Sequence, residues 1–211
     1  MALFITLEGG EGSGKTTVAT SLADRARERG AEVVLTREPG GTPLGAAIRE
    51  SLFRGDEPMG GWTEAFLFLA DRAEHVERVI RPSLARGAVV ICDRFADSTI
   101  AYQAYGRGLD LDLLQQLNRV ATGGATPNLT LLLDVPVAIG LARTRQETFD
   151  RIGQETTDFH NRVYEGFGRL AIAEPDRIKS IDAAQPLDAV VAEAWELVAA
   201  RLARIGFPGR G

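Results

Sequence analysis

An excess of basic residues is the first thing this sequence lacks. Its 211 residues carry 24 lysines and arginines against 29 acids, a formal net charge of −5. That balance argues against a protein that grips a nucleic-acid backbone over a broad face, so any anion must be met by arginines gathered locally. Cysteine is nearly absent: Cys92 stands alone, which excludes an intramolecular disulfide and a cysteine-based metal cage. It lies inside the apolar run "AVVICD" and reads as a buried structural thiol. The two histidines, His75 and His160, have no ligand-spaced partner and are assigned packing or surface positions with no catalytic role. No apolar run approaches the ~20 residues of a membrane span. The N-terminal "ALFITLEGG" has neither a basic leader nor a cleavage-like site. The expectation is a cytoplasmic protein with no membrane and no nucleic-acid partner. Linkers, internal repeats and low-complexity tracts are missing too. With 45% hydrophobic residues, the length suits one core and a single domain, residues 1–211.

What is present is an alternation of short β-rich runs with longer helical stretches. "LFITLE" (3–8), "EVVLT" (32–36), "AVVICD" (88–93), "LTLLLD" (129–134) and "RIKSID" (177–182) read as strands. The central ones are apolar on successive residues, as parallel strands covered on both faces require. Helices are expected at 15–29, 43–53, 62–85, 95–105, 110–122, 136–145, 155–173 and 187–204. Thr42-Pro43 and Val135-Pro136 place proline where a first helical turn tolerates it, and Gly30 and Gly87 close helices before strands. The pattern predicts a doubly wound α/β fold, a five-stranded parallel sheet flanked by helices, with the ligand crevice at the strand C-terminal ends.

Gly9 to Thr16, "GGEGSGKT", fits G-x-x-x-x-G-K-[ST] between a predicted strand and a predicted helix. In such a loop backbone N–H groups converge on phosphate oxygens, backed by a helix N-terminus. Gly9, Gly10, Glu11, Gly12, Ser13, Gly14, Lys15, Thr16 and Thr17 are therefore candidate nucleotide-triphosphate contacts. Lys15 would reach the β/γ-phosphates, and the Thr16 hydroxyl would coordinate Mg²⁺. Glu11 is out of place among them, because a carboxylate repels phosphate. A Mg²⁺ site also wants an aspartate at a neighbouring strand end. Asp93 and Asp134 compete for that position; Asp93 is favoured, since Asp134 precedes a proline-initiated helix that it could cap.

A guanine-reading "NKxD" loop is missing, which weighs against a GTP-hydrolysing switch. A small-molecule kinase instead needs a second anion pocket, and Arg37, Arg72 and Arg94 stand near predicted strand ends or beside aromatics. Phe68 and Arg72, four apart, share a helical face that could stack on a flat base and bond its edge. Ser98, Thr99 and Tyr102 offer a polar-aromatic face just after Asp93. "LARTRQETFDRIGQE" (141–155) adds Arg143, Arg145 and Arg151 in a weakly patterned break, the composition of an arginine-bearing lid over roughly 142–155.

Taken together, "EGGEGSGKTT", "TREPGGTPLG", "FLFLADRAEHV", "CDRFADSTIAYQAYGRG", "PNLTLLLDVP", "DRIGQE" and "IDAAQPLDAV" resemble the thymidylate kinase family in order and spacing over nearly the whole chain. They resemble its bacterial type, with catalytic arginines in the lid rather than the phosphate loop. The resemblance implies phosphorylation of dTMP to dTDP with ATP as co-substrate and Mg²⁺, serving dTTP synthesis, in a homodimer. It implies that Lys15, Thr16 and the loop backbone hold ATP and Mg²⁺, with Asp93 beside the metal, and that Arg94, helped by Arg37, grips the dTMP phosphate. Phe68 would stack on thymine, Arg72 bond its O4 edge, Thr99 stand at the base edge and Tyr102 near the deoxyribose. Ser98 would line the same pocket, Arg143, Arg145 and Arg151 would cover the ATP phosphates, and Glu11 would turn to the 3′-hydroxyl of dTMP, with a metal-bound water as its lesser alternative. The contacts of Glu38 to Gly41 are left open.

Overall fold

Five apolar runs become five parallel strands, β1 (Leu3–Glu8), β2 (Val33–Arg37), β3 (Val89–Asp93), β4 (Leu129–Asp134) and β5 (Ile178–Asp182). The computed structural model describes residues 2–54, 59–144 and 151–207. The sheet order is β2-β3-β1-β4-β5. The chain thus leaves the central strand to one side for β2 and β3, then crosses to the other for β4 and β5. Such a reversal opens a crevice beyond the strand C-termini, on the axis of β1.

Side chains alternate across β1 as strand geometry requires. Leu3, Ile5 and Leu7 pack with Val18 and Leu22 of α1 (Lys15–Glu28) and with Val190 and Val198 of α9 (Leu187–Arg204). On the other face Phe4, together with Val90 and Cys92 of β3, meets Val76, Ile80 and Phe95. Leu132 and Ile178 pack with Phe159 and Phe167 of α8 (Thr157–Ala173). Cys92 is the buried thiol expected, its Sγ 3.0 Å from the Arg94 carbonyl, and burial pushes its pKa up.

The remaining helices are α2 (Pro43–Phe53), α3 (Gly61–His75), α4 (Arg81–Ala85), α5 (Ala96–Thr99), α6 (Leu111–Thr122) and α7 (Val137–Thr144). Thr42 caps α2 by accepting the Gly45 N–H, with Pro43 in the first turn. Two expected helices are locally wider than an α-helix. The helix expected over 62–85 is π-helical at Val76–Ile80, just before Pro82. Proline lacks an N–H and crowds the carbonyl four residues back, and a wider turn relieves that clash. The helix expected over 95–105 is α5 followed by a π-helical Ile100–Gly106.

Arg177 ties α5 to the sheet. Its guanidinium donates to both Asp97 oxygens, at 2.7 and 2.9 Å, and to Glu174. Removing one partner of a buried pair leaves the other charge uncompensated, so Arg177→Ala is expected to cost about 3 kcal/mol of stability. Urea denaturation reads this directly, as a lower midpoint with an unchanged slope.

Candidate active site

Register brings Arg37, Asp93 and Leu7 level at the ends of β2, β3 and β1, and β1 runs straight into the phosphate loop. A cavity of about 470 Å³ opens above them. Its walls include Glu11 to Thr17 of the loop, Arg37, Phe68 and Arg72 of α3, Asp93, Arg94, Ser98, Thr99, Tyr102 and Arg143. Gly9 and Gly10 stand at the loop's root and take the Lys15 side chain, whose Nζ donates to their carbonyls at 3.1 and 2.7 Å and to Ser13 Oγ at 3.0 Å. Burial and the nearby Arg94 charge bring Lys15 down to about 8. A phosphate taking over those three contacts would restore the cation's preference for its proton.

The two aspartates differ in position. Thr16 Oγ1 donates to Asp93 Oδ2 at 2.6 Å, and Asp93 lines the cavity, whereas Asp134 is not among its lining residues. One hydroxyl and one carboxylate fit Mg²⁺, which keeps several waters and draws other ligands from phosphates. Among the described residues no group of three or more His, Cys, Asp or Glu side chains could hold a metal by itself.

Glu11 turns away from the phosphate cradle. Its Oε1 accepts from Arg94 Nη2 at 2.9 Å and from the Tyr102 hydroxyl at 2.8 Å. Burial would raise its pKa, but Arg94, Lys15 and the Tyr102 hydrogen bond outweigh it and bring the carboxyl to about 2. Arg94 also donates to the Gly9 carbonyl at 3.0 Å and lies over the Tyr102 ring. The arginine therefore bridges the root of the phosphate loop and the far half of the cavity.

Arg72 is buried and almost spent. Its Nε donates to Glu38, Nη1 to Thr99 and Asn118, and Nη2 to the Phe95 carbonyl, all within 2.7–2.9 Å. A guanidinium has five N–H groups, so at most one remains for a ligand. Glu38, open from sequence, bonds Arg72 with one oxygen and His75 Nδ1 with the other, and His75 Nε2 meets Thr36 Oγ1 at 2.7 Å. His75 is fully buried, a packing residue inside a polar network.

The three lid arginines separate. Arg143 lines the cavity and donates to the carbonyls of Ala183 at 2.9 Å and Gly12 at 3.4 Å. Arg145 lies outside the described residues. Arg151 is not among the cavity-lining residues; it donates to Glu64 Oε2 at 2.7 Å and to the Leu52 carbonyl. Glu64 also receives Arg107 and Gln103. Burial would raise its pKa, but those partners hold it lowered.

Sequence reasoning passed over Arg49, Phe53 and Gln103, which also line the cavity. Spacing could have found them. Arg49 and Phe53 are four apart on α2, and Gln103 follows Thr99 by four. Because ionised Glu64 only accepts, the Gln103 amide nitrogen must face it, at 2.9 Å, and the carbonyl end is left for the cavity.

One contact couples the loop to α7. A Cβ on Gly140 would lie 2.3 Å from the Glu11 carbonyl, and one on Gly12 would lie 2.1 Å from the Gly140 carbonyl. An Ala in a helix ordinarily adds about 1 kcal/mol over Gly. Here overpacking, about 1–3 kcal/mol, opposes it. Gly140→Ala is expected to weaken nucleoside triphosphate binding by about tenfold in titration calorimetry; unchanged affinity with a raised melting temperature would remove the close contact from the site's design.

Comparison with known proteins agrees with this geometry. The family model described as "Thymidylate kinase" matches residues 7–194. A thymidylate kinase of Synechococcus sp. (strain JA-2-3B'a(2-13)) is 55% identical over 200 residues, covering 95% of this chain and 96% of the relative. The Deinococcus radiodurans thymidylate kinase is 50% identical over 203 residues, covering 94% and 97%. Among solved structures, the crystal structure of thymidylate kinase from Ehrlichia chaffeensis superposes with a TM-score of 0.77 at 37% identity, covering 93% of this chain and 98% of that one. With the P-loop sheet, the Thr16–Asp93 pair and near-complete coverage in agreement, the chain belongs to the thymidylate kinase family.

Proposed function

We propose that the cavity holds both substrates of one in-line phosphoryl transfer, ATP at the phosphate loop and dTMP between Arg94 and the Phe68–Arg72 face of α3. The family's reaction is ATP + dTMP → ADP + dTDP, and the chain is a nucleoside monophosphate kinase of that kind. The observation that carries the assignment is continuity: a single cavity joins the Thr16–Asp93 pair to Phe68, Arg72, Thr99 and Tyr102, with Arg94 and Glu11 at the junction.

In this reading Lys15 and the loop amides hold the ATP phosphates, and Thr16 and Asp93 hold Mg²⁺, which would supply charge neutralisation at the phosphates when bound. Arg94, with Arg37, takes the dTMP phosphate. Phe68 stacks on thymine, and the last N–H of Arg72 bonds O4. The Gln103 carbonyl accepts from N3–H, with Thr99 beside it. Ser98 and Tyr102 line the sugar side, and the carboxylate of Glu11 accepts from the 3′-hydroxyl. Arg143 is the described lid arginine facing the ATP side; Arg145 belongs to the same segment, roughly 142–155. Arg151, at Glu64, serves that segment from its far end. The acceptor phosphate is already largely ionised at neutral pH, so positioning and charge neutralisation supply the rate without a strong base or a covalent intermediate.

No described helix is long and apolar enough to cross a membrane, and a cytoplasmic location is proposed. A homodimer is proposed through α2, α3 and α6. α3 packs against both of the others, and the three carry exposed Leu44, Phe66, Leu113 and Val120, with Trp62 and Phe66 rings 5.9 Å apart.

Two rivals remain testable: a kinase for another nucleoside monophosphate, and a switch that hydrolyses nucleotide without an acceptor. Steady-state turnover with dTMP, dUMP, UMP, dCMP, AMP and GMP separates them. The expected outcome is the highest kcat/KM for dTMP, about tenfold or more above dUMP for the methyl group alone. A better acceptor than dTMP, or ATP turnover indifferent to acceptor, would displace the proposal.

A further inference from the structure

Glu8 is a wholly buried acid that none of the roles above employs. It ends β1, on the face shared by Phe4 and Thr6, and points into the turn between β3 and α5. Its Oε1 accepts the Phe95 N–H at 2.8 Å, and its Oε2 lies 2.5 Å from Ser98 Oγ. Between β3 and Phe95 stands Arg94, whose φ of 68 makes it the one non-glycine residue in the left-handed region among those described. That conformation costs an ordinary L-residue roughly 1–2 kcal/mol. It persists where surroundings over-determine it, and such sites are commonly functional.

That turn is held from the β1–loop junction and through Glu8, with the Cys92 thiol on the Arg94 carbonyl and Arg72 on the Phe95 carbonyl as further contacts. The Arg94 N–H donates to the Leu7 carbonyl at 2.9 Å. Its Nη1 donates to the Gly9 carbonyl and to Ser98 Oγ, its Nη2 to Glu11. Glu8 lies between these contacts, holding the amide after Arg94 and the hydroxyl that Arg94 touches. Released from Glu8, the turn could relax to an extended backbone and carry the guanidinium off the loop.

We infer that Glu8 is the positioning residue of the acceptor-phosphate arginine: its carboxyl holds Arg94 in the left-handed conformation through the Phe95 amide and the Ser98 hydroxyl, touching neither nucleotide. The inference rests on the proposed role of Arg94 at the dTMP phosphate. The groups facing Glu8 are Asp97 and Ser98 from α5, Arg94 from the turn, Lys15 from α1 and Cys92 from β3. Burial and Asp97 raise its pKa to about 8 against the lowering pull of Ser98, Arg94 and the Phe95 N–H, which favours the protonated carboxyl near neutral pH. One donor and one acceptor then match the two groups it meets. A glutamine amide offers the same pair.

The experiment compares Glu8→Ala, Glu8→Asp, Glu8→Gln and Arg94→Ala at pH 7, with KM measured separately for dTMP and ATP. Glu8→Ala is expected to raise the dTMP KM by about tenfold or more, the size of one lost charge-assisted contact, with the ATP KM within about threefold. Glu8→Gln should restore both to within about threefold of the parent. If Glu8→Ala does not fold, Glu8→Asp, which cannot span both partners, carries the same expectation. The inference is overturned if a folded Glu8→Ala or Glu8→Asp leaves the dTMP KM unchanged, raises both KM values equally, or if Glu8→Gln is no better than alanine. Arg94→Ala keeps the two readings apart. An unchanged dTMP KM there sinks the role of Arg94 itself, whereas a raised value beside a silent Glu8→Ala sinks only the role of Glu8.

Discussion

Two opposite charges, Arg94 and Glu11, meet at 2.9 Å where the phosphate loop faces the rest of the cavity. Both are largely shielded from solvent. A shielded pair of this kind adds little net stability over apolar residues, while loss of either partner strands the other. Its value here is geometric. Arg94 is turned toward the loop by a left-handed backbone, and Glu11 is drawn out of the cradle, leaving the loop's interior to backbone N–H groups and Lys15. One short loop then faces two ways, its main chain toward the cradle and its single acidic side chain toward Arg94 and Tyr102.

The rest of the fold supplies the positions of those two residues. Parallel strands end at one edge, so Arg37, Asp93 and the root of the loop arrive together. Asp93 reaches Thr16 there, and the next residue is Arg94. The residues proposed for phosphate chemistry and for acceptor recognition thus share one strand end. On the opposite wall, Arg72 is held by Glu38, Thr99, Asn118 and the Phe95 carbonyl. A guanidinium with one N–H to spare is a fixed probe for one acceptor atom, a property suited to reading a base edge. The Gln103 amide is fixed in the same manner by Glu64.

Much of this is legible in the amino-acid sequence. The five strands follow from short apolar runs, and the phosphate loop from glycine spacing at a strand–helix junction. The Phe68–Arg72 face follows from helical period. Those signals are local, reaching only a few residues along the chain. What is not legible depends on pairs distant in sequence. Arg151 resembles a lid arginine by composition, yet its partner Glu64 is 87 residues away. Glu38 becomes a bridge because Arg72 and His75, one turn apart on α3, both reach it. The π-helical turn at Val76–Ile80 answers the ring clash of Pro82, which hydrophobic period does not record.

Of all these features, the direction of the Glu11 side chain bears most directly on how the loop is divided. The decisive measurement is kcat/KM for dTMP and for 3′-deoxy-dTMP in the parent enzyme and in Glu11→Ala. A carboxylate that accepts from the 3′-hydroxyl should make the parent prefer dTMP by about tenfold or more, as a charged hydrogen bond is worth, and the preference should collapse in Glu11→Ala. A variant that keeps the full preference would contradict the assignment and return Glu11 to the ATP side of the loop.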